Sequence, residues 1–317
     1  MQKTRRELLK NVSAAAMGFY LGGCMHSSAY TTSNSKPKLS LAVIQTNCDS
    51  SANYPQRSEK TLEQLARLFN EQGPIDLVLT SENNFDGHTN LSSGHDDRRI
   101  LVLGRAGDEY TIQPKSDNDV SGKINFVQEL AKKYESNIFL GTFYEDPGKP
   151  NTHFFNTQLH IDLNGKIAGR KRKWEPAENN FLIQTSSGKT YKALSLICWE
   201  AFVDKDIQIK INGEIYYAPQ KWVRDGSPYD IMLHPKDSSD ETTAGIFQYS
   251  QKWWTPRNVE DENTIKDFKR EYSLYFKLLK QGAPLLIANR SEMGIFNQDL
   301  SAFKNTHKTK DYLVVRA

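Results

Sequence analysis

Residues 194–200 read Leu-Ser-Leu-Ile-Cys-Trp-Glu, an apolar run that ends in a thiol, an aromatic ring and an acid. Two other segments have the same form. Residues 77–82 read Leu-Val-Leu-Thr-Ser-Glu, and residues 167–173 read Ile-Ala-Gly-Arg-Lys-Arg-Lys. Ligands bind at the carboxyl ends of the strands in open α/β sheets. The three segments therefore predict a site built from an acid, a cation and a thiol, supplied by Glu82, Lys173 and Cys198.

Strand-like and helix-like patterns alternate around these segments. Helical periodicity marks residues 58–71, 124–134 and 264–280. The dipeptide Asn164-Gly165 predicts the turn of a hairpin. The predicted strands are residues 39–45, 75–81, 137–141, 154–163, 165–174, 193–199, 229–234, 284–289 and 312–315. This mixed alternation, without a Pro- or Gly-rich linker, predicts a single layered α/β domain over residues 38–317.

The composition of the chain is that of a folded soluble protein. Its 317 residues are 38% hydrophobic and 25% charged, which excludes long disorder and a polytopic membrane protein. Three cysteines form no disulfide framework. The chain lacks Gly-x-Ser-x-Gly and Gly-x-Gly-x-x-Gly motifs, and its seven histidines show no metal-ligand spacing. We therefore expect neither a metal nor another cofactor.

The first 23 residues have the features of a secretory signal. A basic start and a short apolar run lead to Gly22-Gly23 and then Cys24. Residues 4–10 (Thr-Arg-Arg-Glu-Leu-Leu-Lys) resemble a twin-arginine export signal, and residues 21–24 resemble a lipobox. We expect cleavage after residue 23, lipidation of Cys24 and a polar tether over residues 24–37. The protein would then lie in the cell envelope, on the periplasmic side, held to the membrane by a lipid anchor only. The alternative is that residues 1–23 form an amphipathic first helix of the domain.

Removal of this signal makes the chain electrically neutral. The full sequence has 41 Lys and Arg against 38 Asp and Glu. Residues 1–23 contain four of the basic residues and one of the acids, which leaves 37 of each sign. We therefore find no electrostatic argument for a nucleic-acid partner.

Six short segments resemble, in the same order, motifs of the carbon–nitrogen hydrolase (nitrilase) superfamily. The order Glu, Lys, Cys at strand ends is also that of the catalytic residues of the superfamily. The six segments are the first strand at residues 41–46, Ser81-Glu82 where Pro-Glu is usual, the hairpin from Phe155-Asn156-Thr157 to Asp162-Leu163-Asn164-Gly165, Arg172-Lys173, Ile197-Cys198-Trp199-Glu200, and the late strand at residues 284–289.

This resemblance implies both a fold and a mechanism. The fold is an α-β-β-α sandwich that usually pairs sheet to sheet, so we expect a homodimer. The mechanism makes Cys198 the nucleophile and Glu82 the general base, because an ordinary thiol with a pKa of about 8.5 is mostly protonated at neutral pH. Lys173 and the backbone N–H of Trp199 would stabilise the tetrahedral oxyanion. A thioester would form, an amine or ammonia would leave, and water would release the acid.

Some residue assignments remain open at this point. Glu178 is the candidate for a second glutamate that positions Lys173 and the substrate, and Glu175 competes for that role. Trp199 is a further candidate for positioning the substrate. Lys171 is the alternative to Lys173 within the basic run.

The two remaining cysteines also allow more than one interpretation. Cys48 ends the first predicted strand without a partner motif, and we expect it to be structural. A Cys48–Cys198 disulfide is the alternative outside the cytoplasm, and it would remove the nucleophile. The aromatic-rich stretches at residues 216–222 and 253–254 would either line a pocket for an apolar acyl group or pack as loops.

We expect an amidase that acts on a small-molecule amide. A close alternative transfers the acyl group from the same thioester to an amine, since Cys198-Trp199-Glu200 resembles the Cys-Tyr-Glu turn of apolipoprotein N-acyltransferases. Those enzymes carry a bundle of membrane helices that the sequence does not predict here. A second alternative is a catalytically silent lipoprotein that uses the cleft only for binding.

Overall fold

The secondary structure comes from a computed structural model. It describes residues 39–46, 54–82, 84–85, 89–90, 95–96, 99–148, 154–173, 175, 180–201, 208–211, 214–217, 228–236, 278–289, 293–297, 303 and 306–316. The helices within these ranges are α1 (Tyr54–Gln72) and α2 (Asn118–Tyr134), with a 3-10 helix at Cys198–Ala201. The strands are β1 (Ser40–Ile44), β2 (Leu77–Leu79), β3 (Thr89–Asn90), β4 (His95–Asp96), β5 (Ile100–Ala106), β6 (Glu109–Ile112), β7 (Asn137–Asp146), β8 (Phe155–Ile161), β9 (Ile167–Arg172), β10 (Asn180–Gln184), β11 (Thr190–Ser195), β12 (Gln208–Ile211), β13 (Glu214–Tyr217), β14 (Ile231–Pro235), β15 (Leu285–Ala288), β16 (Met293–Phe296), β17 (Thr306–Lys308) and β18 (Tyr312–Arg316).

The strands form two main sheets. The larger has nine strands in the order β17-β18-β1-β2-β7-β5-β6-β9-β8, and β7 also pairs with β8. The smaller has five strands in the order β10-β11-β14-β15-β16. The neighbours β1, β2 and β7 are parallel, and so are β11, β14 and β15. Each sheet therefore has a parallel centre, whose strand ends are available for a site.

The side chains of the larger sheet alternate between two buried faces. Leu41 and Val43 of β1 lie in one apolar cluster with Leu233 of the smaller sheet. Ala42, between them, lies in a second cluster with Leu65 of α1. Because successive side chains of a strand point to opposite faces, this pattern places the sheets face to face and α1 and α2 on the outer face of the larger one. Each fully buried aliphatic side chain of this kind contributes about 1.5–3 kcal/mol.

The outer face of the smaller sheet is buried as well. Leu194, Met232 and Leu285 are fully buried there and belong to a third cluster with Leu279. At β14 and β15 both faces of this sheet are thus buried, which explains why these two strands read as nearly continuous hydrophobic runs.

The parallel centres of the two sheets meet at their carboxyl ends. Glu82 follows β2, and its backbone N–H donates to the carbonyl of Lys236, which follows β14, at 3.1 Å. The loops that leave β2 and β14 therefore touch. This contact brings Glu82 of the larger sheet to the end of β14, which pairs with β11, the strand that precedes Cys198.

The strand predicted at residues 193–199 ends earlier in the structure than expected. β11 ends at Ser195, and the 3-10 helix begins at Cys198, whose φ is +51°. The carboxylate of Glu200 accepts the backbone N–H of Ile197 at 2.7 Å, and this bond turns the chain where the apolar pattern alone would continue a strand.

Nine of the described strands were not predicted from the sequence: β3, β4, β5, β6, β10, β12, β13, β16 and β17. The β5–β6 pair is a partly exposed hairpin around Gly107, so it lacks a clear apolar period. In β10, Phe181 and Ile183 point inward while Leu182 is 71% exposed. Strands at partly exposed positions of this kind give weak sequence signals.

Several predictions fall on residues outside the described ranges. They include the signal and tether at residues 1–37, with Cys24, and also Cys48, which follows the first strand. The stretches around Trp222 and Trp253-Trp254 and most of the helix predicted at residues 264–280 lie outside them too. The last part of that helix is described, and there Leu279 forms a bridge with Tyr229 rather than a helical turn. Among the described residues, no helix combines the length and hydropathy that a membrane span requires.

Candidate active site

The acid and the cation of the predicted set lie in direct contact. Glu82 is 2% exposed at the end of β2, and Lys173 follows β9. The Nζ of Lys173 donates to Oε1 of Glu82 at 2.7 Å. Because both side chains are largely buried, this ion pair is shielded from water and its geometry is well defined.

Cys198 joins this pair from the smaller sheet. The residue is 6% exposed and is a free cysteine, and it lies close enough to Glu82 and Lys173 for both to shift the pKa of its thiol. The structure thus brings Glu82, Lys173 and Cys198 together from β2, β9 and β11, as their positions at strand ends led us to expect.

The protonation states at this cluster follow from burial and from the neighbouring charges. Burial, reinforced by Glu82 and opposed by Lys173, raises the pKa of the Cys198 thiol to about 12. Burial lowers the pKa of Lys173, but the charges of Glu82 and Cys198 outweigh burial and the net shift is upward. At neutral pH the resting cluster therefore holds a protonated thiol at Cys198 and an ammonium at Lys173.

Asn156 supports the acid and the cation at once. Its Nδ2 donates to Oε1 of Glu82 at 2.8 Å, and its backbone carbonyl accepts the N–H of Lys173 at 2.8 Å. Asn156 lies on β8, within the hairpin motif that the resemblance singled out. Its contact with Glu82 could not be derived from the sequence, because β8 and β2 are not neighbours in the sheet.

A second buried ion pair joins β9 to the 3-10 helix at Cys198–Ala201. This helix is the nucleophile turn, named after the residue expected to be the nucleophile. Lys171 and Glu200 are fully buried, with Nζ and Oε1 2.8 Å apart. Lys171 also donates to the carbonyls of Arg172 and Glu175, at 2.6 and 3.3 Å. Lys171, the alternative to Lys173, is therefore engaged with Glu200, whereas Lys173 is the lysine that contacts Glu82.

A histidine that the sequence did not single out contacts the backbone of Cys198. His234, on β14, is fully buried, and its Nε2 lies 3.0 Å from the carbonyl oxygen of Cys198. Burial, reinforced by the charge of Lys236, lowers the pKa of His234 well below its usual range, so the ring is neutral. Because a carbonyl only accepts, Nε2 carries the proton and donates it.

The remaining sequence candidates are placed only in part. Glu178 lies outside the described residues, and so does the side chain of Trp199, although its backbone is part of the 3-10 helix. Glu175 pairs with Arg172 at 3.4 Å and not with Lys173. Within the described ranges, no group of three or more His, Cys, Asp or Glu is arranged to hold a metal ion.

Comparison with known proteins identifies the fold. No family model matches the chain, and no curated protein matches its sequence. Saccharomyces cerevisiae Nit3, a member of branch 10 of the nitrilase superfamily, has a TM-score of 0.54 and 14% identity over 88% of this chain and 90% of its own. A cysteine-to-serine mutant of the Nesterenkonia sp. AN1 amidase, from the nitrilase superfamily, has a TM-score of 0.51 and 13% identity over 88% of this chain and 92% of its own.

A third structure agrees with these two. The carbon–nitrogen hydrolase from Helicobacter pylori G27 has a TM-score of 0.50 and 13% identity, and the match covers 88% of each chain. The chain thus has the nitrilase-like fold, which confirms the predicted α-β-β-α class.

Proposed function

We propose that this chain is a carbon–nitrogen hydrolase of the nitrilase superfamily, an amidase that cleaves a small, non-peptide carboxamide through a thioester on Cys198. The observation that carries the proposal is the meeting of Glu82, Lys173 and Cys198 in one buried cluster. A cleft that only binds a ligand does not need a buried thiol beside a base. The shared fold adds support, since its neighbours include an amidase with an active-site cysteine.

In the first step Glu82 accepts the thiol proton while Sγ of Cys198 attacks the carbonyl carbon of the amide. Because the thiol pKa is about 12, free thiolate does not accumulate, and proton transfer accompanies formation of the S–C bond. The carbonyl oxygen becomes an oxyanion, stabilised by the ammonium of Lys173 and the backbone N–H of Trp199. Loss of one such donor typically costs about 2.7–4 kcal/mol of transition-state stabilisation.

The tetrahedral adduct then collapses to the thioester. Protonated Glu82 gives its proton to the leaving nitrogen, the C–N bond breaks, and ammonia or an amine departs. Glu82 next removes a proton from water as the water oxygen attacks the thioester carbon. The C–S bond breaks, the sulfur regains a proton, and the carboxylic acid leaves with the site restored.

Two further residues are assigned to substrate positioning. We assign Glu178 and the ring of Trp199 to this role from their sequence positions after Lys173 and Cys198. The side-chain contacts of Glu175 with Arg172 favour Glu178 over Glu175.

Ammonium release from a panel of short aliphatic and aromatic carboxamides tests the proposed hydrolysis. We expect the wild-type protein to release ammonium and to show an acyl adduct by intact mass, and Cys198→Ala to do neither. Circular dichroism of Cys198→Ala controls for folding. Turnover by Cys198→Ala at the wild-type rate, or a folded wild type whose Cys198 resists iodoacetamide, would contradict the proposal and favour a silent binding protein.

The same reaction run with an added primary amine separates hydrolysis from acyl transfer. A hydrolase yields the carboxylic acid with or without the amine. A product amide that forms only when the amine is present, without ammonium release in its absence, would favour the N-acyltransferase alternative, whose thioester chemistry is identical up to the second step.

We also propose that residues 1–23 are an export signal and that Cys24 carries the lipid that holds the protein at the periplasmic face of the cell envelope. The support is the tandem of a twin-arginine motif and a lipobox in the sequence. Replacement of Cys24 by Ser is expected to move the protein from the membrane fraction to the soluble fraction. An unchanged membrane association would contradict lipid anchoring.

The usual pairing of this fold leads us to propose a homodimer. Sedimentation velocity of the purified protein is expected to give the mass of two chains. A single-chain mass at micromolar concentration would contradict this assignment.

A further inference from the structure

Lys236 lies at the junction of the two sheets, next to the proposed catalytic acid. It directly follows β14 and is 4% exposed. Its carbonyl accepts the backbone N–H of Glu82 at 3.1 Å, and its own N–H donates to the carbonyl of Ala288 at 2.7 Å. These two bonds fix the backbone of Lys236 between β15 and the strand end that carries Glu82.

The pairing of β11 with β14 brings Lys236 beside the nucleophile. The two strands are parallel, with Ser195 opposite Leu233. Just beyond this pair, the backbone N–H of Leu196 donates to the carbonyl of Leu233 at 3.0 Å, and Lys236 follows Leu233 by three residues. The bond from His234 to the carbonyl of Cys198 shows that the two chains remain close beyond the last paired residues.

We propose that Lys236 is a second cation of the nucleophile site, whose ammonium stabilises the developing negative charge on the Cys198 sulfur and on the oxyanion during acylation. The inference rests on the proposed function and adds a residue to it. A buried charge acts at longer range than an exposed one, because little water screens it. Lys236 therefore affects Cys198 without having to touch it.

The electrostatic effects on the neighbouring groups agree with this assignment. The charge of Lys236 lowers the pKa of the Cys198 thiol and the pKa of the His234 ring. Lys173 acts in the same direction on Cys198, but it shares its charge with Glu82 through the 2.7 Å contact. Lys236 thus adds to a positive field that Glu82 partly cancels.

Charged and titratable groups reach the nucleophile turn from each described element packed against it. They are Glu82 after β2, Lys171 and Lys173 from β9 and its end, Glu200 in the 3-10 helix, and His234 and Lys236 at the end of β14. Glu200 is neutralised by Lys171 at 2.8 Å, and His234 is uncharged. The charges that affect the reactivity of the Cys198 thiol are therefore those of Glu82, Lys173 and Lys236.

Two alkylating reagents of the same chemistry and different charge test the inference. Iodoacetamide is neutral and reports thiolate reactivity, whereas iodoacetate is an anion and also reports the electrostatic potential at the sulfur. We expect Lys236→Met to slow iodoacetamide alkylation of Cys198 about tenfold at a pH of about 8, and to slow iodoacetate more, so that the iodoacetate-to-iodoacetamide rate ratio falls. Lys236→Arg keeps the charge and is expected to restore both the rate and the ratio to within about threefold of wild type.

Lys280→Met is the matched control. Lys280 is an exposed lysine paired with Asp230, at the other end of β14, and its removal is expected to leave both rates unchanged.

Lys236→Gln serves as a second neutral variant, and circular dichroism checks that each variant folds. A folded neutral variant with the wild-type rate and ratio overturns the inference and leaves the proposed hydrolase intact. Absence of alkylation in the wild type would overturn the proposed function itself. If both neutral variants fail to fold while Lys236→Arg folds and keeps the wild-type ratio, the role is structural and the inference fails.

Discussion

At the residue scale, Cys198 combines a raised thiol pKa with a left-handed backbone. A φ of +51° at a residue other than glycine is unfavourable by about 1–3 kcal/mol, so neighbouring contacts must hold it. Two buried bonds do so, one from the N–H of Ile197 to Glu200 and one from His234 to the carbonyl of Cys198. The orientation of the sulfur therefore depends on side chains that never meet a substrate.

Replacement of His234 by Leu tests this dependence. The change leaves the carbonyl of Cys198 buried without its donor, which destabilises the fold by about 1–3 kcal/mol and releases the nucleophile turn. We expect a fall in iodoacetamide alkylation of Cys198 by at least about tenfold. His160→Leu is the control, because His160 is also buried and hydrogen-bonded, at 3.0 Å from Asn137, but lies on β8 away from the thiol. Equal alkylation rates in the two variants would show that His234 is only a core residue.

Glu82 has two opposing effects on the sulfur, and a single substitution separates them. As the proposed base it is required for turnover, so Glu82→Gln is expected to lower kcat by about 10²–10⁴-fold. Its charge also raises the pKa of Cys198, so the same change favours the thiolate. We therefore expect iodoacetamide alkylation to stay within about threefold of wild type or to rise. Parallel loss of turnover and alkylation would mean that Glu82 only orients the thiol.

At the scale of the elements, the Lys171–Glu200 pair connects the end of β9 to the 3-10 helix. Both side chains are fully buried, so removal of one charge leaves the other uncompensated. We expect Glu200→Gln to lower the free energy of unfolding by about 3–5 kcal/mol in urea denaturation. The double variant Lys171→Met with Glu200→Leu is expected to regain most of this stability, since an apolar pair of similar volume replaces the two ions.

The double variant also separates stability from reactivity. It still lacks the carboxylate oxygen that accepts the N–H of Ile197, so we expect the alkylation rate of Cys198 to remain low after stability has returned. Recovery of both properties together would contradict a specific role for Glu200 in holding the turn.

Gly141 controls how closely β7 approaches the strand end that carries the acid. A Cβ at this position would overlap the backbone carbonyl of Ser81, which directly precedes Glu82. We expect Gly141→Ala to displace Ser81 and Glu82, to destabilise the protein by more than about 1 kcal/mol, and to reduce turnover. Gly104→Ala is the control, since a Cβ there meets side chains and no backbone atom: the movable end of Gln113 and, at 3.3 Å, the hydroxyl of Thr111. Similar stability and turnover in the two variants would contradict this account.

At the scale of the whole molecule, sequence patterns located the strands that form the centre of each sheet. The apolar runs of β1, β2, β14 and β15 are strong local signals because both faces of these strands are buried. The same runs placed Glu82 at a strand end, where its role depends on position in the sheet and not on neighbours in sequence.

The sequence could not reveal contacts that arise only when the two sheets pack. His234 ends an apolar strand and reads as a core residue, yet its ring reaches a carbonyl 36 residues away in the chain. Lys236 reads as an ordinary loop lysine, and it is the bond from Glu82 that places its backbone beside the proposed catalytic acid. The prediction that this strand continues to residue 199 was wrong, because the chain turns after β11. The turn depends on the hydrogen bond from Ile197 to Glu200, a polar contact that hydrophobic periodicity does not detect.

Two buried neutral histidines make the stability of the whole domain depend on pH. The pKa of His160 is lowered to about 4 by burial, and that of His234 is also lowered. The unfolded chain takes up protons below a pH of about 6.5 that the folded chain does not, so stability falls as pH falls from about 6.5 toward about 4. For His160 alone the loss over this window is about 3 kcal/mol.

Urea denaturation as a function of pH measures this effect. The stability advantage of wild type over His160→Leu is expected to shrink steadily from a pH of about 6.5 to about 4. An advantage that stays constant across this range would mean that the folded protein protonates His160 as readily as the unfolded chain does.

The contact between Lys173 and Glu82 has a consequence for the timing of the proposed reaction. Glu82 loses its negative charge when it takes the thiol proton, and in the same event a negative charge appears on the carbonyl oxygen. The buried ammonium thus exchanges one counter-ion for another and at no stage faces either two anions or none. The total charge of the cluster stays constant from the Michaelis complex through each adduct, so the surrounding dipoles need not reorganise between steps.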